Sequence, residues 1–277
     1  MNAQNSIPAL LGRVYLSHDA VEKRAQILKP GPLDRTAHRP WPLPGGAWIM
    51  AQSWHDLMFA HWRVDAALLR PLVPAALTID TFENQAWIAV VPFRMSGVRL
   101  RGTPALPWLS AFPELNVRTY VVAEGKPGVW FFSLDAQNPI AVAAARAWFH
   151  LPYFRARMQC EQRGGWIHYA SVRTHRGAKP GVLEAKYRAI GEVFEAQPGT
   201  LEHFLMERYS LYAQTSDARI LRGEIHHRPW QLQPAEAEVE QNSMTEAAGI
   251  ALPSHNPLLH FAGRQDVVAW NPYFVPS

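Results

Sequence analysis

From Trp48 onward the chain alternates short apolar runs with glycine and proline, the pattern of antiparallel strands rather than of a helical bundle. Residues 86–95 are nearly continuous in apolar side chains and predict a strand; beyond Gly97, Val98 and Leu100 alternate with Arg99 and Arg101. Residues 114–123 and 129–135 predict a hairpin, because Glu124-Gly125-Lys126-Pro127-Gly128 between them is rich in turn formers. Asn138 before Pro139 predicts a helix start, Ala141 to Ala145 suit its interior, and Pro152 sets its limit. A strand pair follows around Gly164-Gly165, with residues 166–174 as its second arm. Thr200 is placed to cap a helix running toward Arg208. Farther on, strands 218–221 and 224–228 are expected to flank Arg222-Gly223, and strands 258–262 and 266–270 to flank Gly263. Ser243-Met244-Thr245-Glu246 matches a capping box for one short helix that Gly249 would stop.

Residues 1–45 differ: prolines at 8, 30, 32, 40, 42 and 44 suggest an arm or irregular lead-in, with a short helix at 18–28. Residues 46–277 are expected to form a single domain. The chain's 11 Trp and 12 Phe start at Trp41 and reach Phe274 with no linker-like break, and 48% hydrophobic residues suffice for one large core. Many antiparallel strands with a few inserted helices predict an α+β protein dominated by a sheet that curls or closes.

Charge and cysteine usage narrow the function classes. The net charge of +4 comes from 27 basic and 23 acidic residues scattered without a basic block, so nucleic acid is not an expected partner. No run approaches 18 apolar residues and no signal-like segment opens the chain, so no membrane association is expected and the cytoplasm is the expected location. A homo-oligomer remains compatible with the sequence. The single Cys160 lies between Gln159 and Glu161, without an activating cation, and is expected to be inert. Lysine is confined to Lys23, Lys29, Lys126, Lys179 and Lys186, all read as solvent charges or lead-in residues, which leaves lysine chemistry few starting points.

The chemistry-bearing feature is a strand. A two-residue period puts Glu114, Asn116, Arg118 and Tyr120 on one face and Leu115, Val117, Thr119 and Val121 on the other. The partner strand is largely apolar, so the polar row is expected to look into an enclosed space rather than into solvent. Arg146, on the following helix, has Val142, Ala143, Phe149 and His150 as neighbours and must find a carboxylate such as Glu114, backbone carbonyls or an anionic ligand. A structural salt bridge and an anion site are both open. A glutamate among apolar walls would have a raised pKa and suit proton transfer. His226-His227 point to opposite faces of a strand, and His55, His61 and Asp56 lack a metal-binding spacing, so no metal is expected. No phosphate loop, dinucleotide glycine pattern or Gly-x-Ser-x-Gly occurs, and no cofactor is expected. The segment 201–209 is expected to be a helix end carrying surface ion pairs.

Several ordered blocks carry a resemblance: Val91-Pro92-Phe93-Arg94-Met95, Glu114-Leu115-Asn116-Val117-Arg118-Thr119-Tyr120, Trp130-Phe131-Phe132-Ser133-Leu134-Asp135, Phe204-Leu205-Met206-Glu207-Arg208-Tyr209 and Ile225-His226-His227-Arg228-Pro229-Trp230. Over about residues 48–272 they resemble the YqjF-like family of uncharacterised conserved proteins, in the acetoacetate decarboxylase-like superfamily. The resemblance implies a mixed sheet curled into a closed, cone-like barrel around a ligand cavity, with a few short helices. It also implies that Glu114 matches the superfamily's cavity glutamate. Where the decarboxylases carry an arginine and then, after proline, an imine-forming lysine, this chain keeps Arg146 and Pro152 but has Tyr153 and Phe154. The expected site therefore comprises Glu114, Tyr153 and Tyr120 as acid–base groups, with Arg118, Arg146, Asn116 and Arg94 binding a carboxylate or other polar metabolite. It would run as a lysine-independent lyase or isomerase, or bind its ligand without turnover.

Overall fold

A computed structural model describes residues 31–106 and 110–276. The helix expected at 18–28 lies outside the described residues. Among the described residues thirteen strands form one continuous hydrogen-bonded sheet. In chain order they are β1 (Met50–Val64), β2 (Thr78–Ile79), β3 (Ala86–Leu100), β4 (Phe112–Ala123), β5 (Lys126–Ala136), β6 (Tyr153–Arg163) and β7 (Trp166–Arg173). There follow β8 (Val182–Ala189), β9 (Ser210–Gln214), β10 (Ile220–His227), β11 (Gln233–Asn242), β12 (Leu258–Ala269) and β13 (Tyr273–Phe274). Among the described residues four short α-helices interrupt them: α1 (Ala66–Leu69), α2 (Pro139–Trp148), α3 (Leu201–Met206) and α4 (Met244–Ala247).

The strand pairings close twice. One circuit is a nine-strand mixed barrel, β1-β3-β4-β5-β6-β7-β8-β11-β12, and the other joins seven strands, β1-β3-β4-β5-β9-β10-β12. Five strands are common to both, so their two faces look into two different interiors, as the alternation of side chains along a strand requires. The nine-strand interior is filled by large apolar groups, among them Met58, Trp62, Leu115, Val117, Tyr169 and Tyr187. The seven-strand interior takes the opposite faces: Leu57 and Phe59 on β1, Trp87 and Phe93 on β3, Tyr120 on β4, Ala213 on β9, Leu221 on β10 and Ala262 on β12. Helix α2 contributes Val142 to the same cluster.

Local signals act as the sequence indicates at several points. The β4–β5 turn uses left-handed Glu124 and Gly125, and the β6–β7 turn uses left-handed Gly164 and Gly165. Asn138 caps α2 by accepting from the Ile140 and Ala141 amides, and Thr200 caps α3 by accepting from the His203 amide. Two expected breaks do not occur. Arg222-Gly223 lies inside the unbroken β10, because a Cβ at Gly223 would stand 2.9 Å from the Leu211 side chain; the glycine permits close strand packing. Gly263 lies inside β12, whose register against β1 runs on unshifted past left-handed Asp56. Gly97, also left-handed, is passed within β3. Ser243 does not cap α4 with its side chain; its Oγ accepts from the Val182 amide at 3.0 Å.

At Gly128 the backbones of β5 and β9 come closest, and an added Cβ would lie 2.5 Å from the Ser210 carbonyl oxygen and 2.7 Å from the Tyr212 ring. Backbone cannot yield there as a side-chain tip would. Gly128→Ala should therefore lower stability by about 1–3 kcal/mol, the usual cost of overpacking, as read by urea denaturation. An unchanged midpoint would show that β9 can move away.

Candidate functional site

The polar row of β4 faces the seven-strand interior. Glu114, Asn116 and Tyr120 are all but inaccessible, and Arg118 is half-buried. Cross-strand registers arrange the row in levels. Glu114 sits between Phe93 of β3 and Ala136 of β5, and Asn116 between Val91 and Leu134. Arg118 lies between Ala89 and Phe131, and Ala89 in turn pairs with His61 of β1. The small Ala89 thus separates Arg118 from His61 on one level. Glu114 and Arg118, four residues apart, stand roughly 13 Å apart along the strand at 3.3 Å per residue. They form two stations rather than one ion pair.

At the first station Glu114 retains only 2% of its exposure, and its Oε2 accepts a 2.8 Å hydrogen bond from the Tyr153 hydroxyl. Tyr169 donates to the Glu114 carbonyl oxygen at 2.6 Å and pins the backbone. Burial pushes the Glu114 carboxyl up to about 8; the Tyr153 bond pulls it down, and the charge of Asp135 adds to the rise. Burial and the neighbouring Glu114 together hold the Tyr153 hydroxyl well above the ordinary phenol range, so it remains a donor. Tyr153 is positioned by the end of α2, where the chain turns through left-handed His150 and Pro152 into β6.

At the second station the Tyr120 hydroxyl and His61 Nε2 share a 2.6 Å hydrogen bond. Burial, then the charge of Arg118, then His260 drive the His61 pKa well down, so its ring is neutral near pH 7. The Arg118 guanidinium stacks 5.5 Å from the Phe59 ring centre and 5.9 Å from that of Tyr120. None of the ion pairs among the described residues includes it. Its Nε, His61 Nδ1, Asn116 Oδ1 and the indole nitrogens of Trp54 and Trp87 are buried without a hydrogen-bond partner. Such atoms are rare in folded proteins, and each calls for a partner such as a water, an ion or a ligand.

Two expected site residues lie elsewhere. Arg146 does not share the enclosure of Glu114: it is exposed on α2 and its Nη1 donates to the Tyr153 carbonyl oxygen at 2.7 Å. Helix α2 carries few polar side chains, so this arginine turns outward and satisfies a strand-end carbonyl instead. Arg94 points away from the seven-strand interior, opposite to its neighbours Phe93 and Met95, and pairs with Asp56 at 2.5 Å. Arg208, expected among surface pairs, is buried; it binds Asp80 at 2.5 Å and stacks over Tyr120 and Phe204. Lys126 is held by Glu224 at 2.9 Å rather than free in its turn. The Cys160 thiol is pushed up to about 11, chiefly by burial, which disfavours the reactive thiolate. Among the described residues no group of three His, Cys, Asp or Glu side chains converges as a metal site would, and no helix is long and apolar enough to cross a membrane.

His61, Trp54 and Trp87 were not singled out as inward groups by the pattern of the chain. The run from Leu57 to Trp62 is apolar at nearly every position, which hides the face to which His61 belongs. Its parity with Leu57 and Phe59 is the signal that finds it.

Comparison with known proteins agrees with this architecture. The enduracididine biosynthesis enzyme MppR complexed with pyruvate superposes with a TM-score of 0.57 at 10% identity, covering 86% of this chain and 93% of that one. An acetoacetate decarboxylase from Legionella pneumophila superposes at 0.55 and 12% identity, covering 89% and 96%. At such identities the likeness is one of fold. Sequence similarity reaches further: the chain is 49% identical over 228 residues to the uncharacterized protein YqjF of Bacillus subtilis, covering 82% of this chain and 93% of that protein. Residues 51–266 also match the DUF2071 family of uncharacterized conserved proteins. With both matches running through the strands that hold Glu114, Arg118 and Tyr153, the chain belongs to the DUF2071 family of YqjF-like proteins.

Proposed function

We propose that this protein binds a small organic acid or similar polar metabolite within the seven-strand circuit and transfers a proton on it through Glu114, without a lysine. The observation that carries this reading is the Glu114–Tyr153 pair. A carboxyl titrating at about 8 is poised to give and take a proton near neutrality, and the Tyr153 hydroxyl is bonded to it at 2.8 Å. Arg118, stacked on aromatic rings and free of carboxylates, supplies the contact for a ligand anion, with His61 and Asn116 as neutral hydrogen-bonding partners. Isomerisation, hydration or dehydration of a keto or unsaturated acid suits these groups. Imine chemistry does not, since Tyr153 stands where the decarboxylases have their lysine.

A thermal-shift screen of keto and unsaturated acids should return stabilising ligands, because a bound ligand favours the folded state by mass action. With such a ligand, Glu114→Gln should reduce turnover by at least about 100-fold, the usual worth of a positioned acid or base, while affinity stays within about threefold. Equal loss of both would make the protein a binder without turnover. Borohydride reduction in the presence of keto acids should leave the protein's mass unchanged; a covalent adduct would overturn the lysine-independent reading.

A further inference from the structure

Strand β5 changes neighbours partway along one edge. Val129 and Trp130 pair in parallel with Leu211 and Tyr212 of β9, whereas Leu134 to Ala136 pair in parallel with Tyr153 to Arg155 of β6. Phe131, Phe132 and Ser133 between them have no strand partner on that edge. Here the two circuits part, β9 closing the seven and β6 continuing the nine. The divergence leaves a crevice of about 560 Å³, walled by Trp130, Phe131, Phe132, Phe154 and Tyr212, with Arg146 beside them. Its volume lies within the range of small-molecule sites, roughly 300–1,000 Å³.

The charge here is cationic. Arg146 also lines a neighbouring cavity of about 390 Å³, together with Arg155 and His175. Burial and then Arg146, Arg155 and Arg173 lower the His175 pKa, against the opposing charge of Asp135, so the positive charges prevail at this ring. Of the five N–H donors of a guanidinium, the Arg146 group places one on the Tyr153 carbonyl. Neither Arg146 nor Arg155 takes part in an ion pair among the described residues.

We propose that this crevice is a second binding site, distinct from the proposed Glu114 site, which takes a small aromatic monocarboxylate. The ring lies among the five aromatic walls and the carboxylate engages the guanidinium fork of Arg146. Phe131, Leu151 and Ala213 line the crevice and also belong to or pack against the core of the seven-strand circuit, so an occupant packs against that core. A strand that switches partners between parallel neighbours opens such a gap without any break in the chain, much as ligands lodge at switch points of open parallel sheets.

Benzoate and the larger indole-3-acetate, titrated calorimetrically against the full chain, test this directly. At least one should bind saturably, and benzamide at least tenfold more weakly. Arg146→Met, an exposed change that circular dichroism should show to be folded, should weaken acid binding at least tenfold. Glu114→Gln should leave it within about twofold, which separates this site from the proposed catalytic one. The proposal is overturned if neither acid binds, if Arg146→Met binds as tightly as the parent, or if benzamide matches benzoate. Loss of binding in Glu114→Gln with Arg146→Met unaffected would place the acid at the Glu114 site instead.

Discussion

Replacing Glu114 by glutamine is expected to abolish a loss of stability that the parent protein suffers between pH 4.5 and about pH 8. The carboxyl titrates at 4.5 in the unfolded chain and at about 8 in the folded one. Between those values the folded state keeps a proton that the unfolded state has released, so stability falls as pH rises through the interval. The contribution is complete below pH 4.5 and gone above about 8. At about 1.4 kcal/mol per pH unit, the whole interval is worth on the order of 5 kcal/mol. Glutamine is neutral throughout and carries no such dependence. Urea denaturation at pH 5, 7 and 9 should therefore show Glu114→Gln gaining several kcal/mol on the parent as pH rises. Parallel profiles would mean that Glu114 ionises freely, and with that the case for it as a proton-transfer group would fail. Tyr153→Phe should move the parent's fall to higher pH, because the lost hydrogen bond favours the carboxylate.

Glu224→Ala is expected to be among the most destabilising single changes, by about 3–5 kcal/mol, since it strands a buried cation. The Glu224 side chain is 2% exposed and pairs with Arg39, itself 1% exposed. It also accepts from Lys126 and from the Trp41 indole at 2.9 Å, and from the Tyr273 hydroxyl at 2.6 Å. One carboxylate thus ties the segment before β1, the start of β5 and the terminal β13 to β10. Burial alone would raise its pKa, but the bonds from Tyr273, Trp41 and Lys126 outweigh burial and hold it below the usual glutamate value. Its stabilisation is therefore full above pH 4.5 and is lost as pH falls through the lower, folded value. Tyr273→Phe, which removes one donor and leaves the ion pair, should cost about 1 kcal/mol. A loss below 1 kcal/mol for Glu224→Ala would show that solvent replaces the carboxylate.

The two effects differ in how far they were legible beforehand. The row from Glu114 to Tyr120 follows from the two-residue period of one strand, and the turn at Glu124-Gly125 places that strand in a hairpin. The Glu224 cluster joins positions up to 185 residues apart, and no local pattern announces it. Arg146 shows the same limit. Its helix, its N-cap and the following proline are local features, but whether it turns toward Glu114 or toward the fork at β5 depends on how α2 seats against β6. Gly223 and Gly263 mislead because a glycine between apolar runs suits both a turn and a tight strand crossing. The distance to Leu211 decides one of them, and the unshifted β1–β12 register the other.

By itself the sequence determined which side chains share a strand face, where helices begin, and how few lysines the chain has, because these depend on backbone periodicity and on residue identity. Only the tertiary structure decided what each face looks at. Five strands serve two closed circuits, so one face of β4 meets apolar packing while the other carries a buried acid and a lone guanidinium. The proton affinity of Glu114 follows from that closure, since a carboxyl's pKa is set by what surrounds it in space and not by its neighbours in the chain.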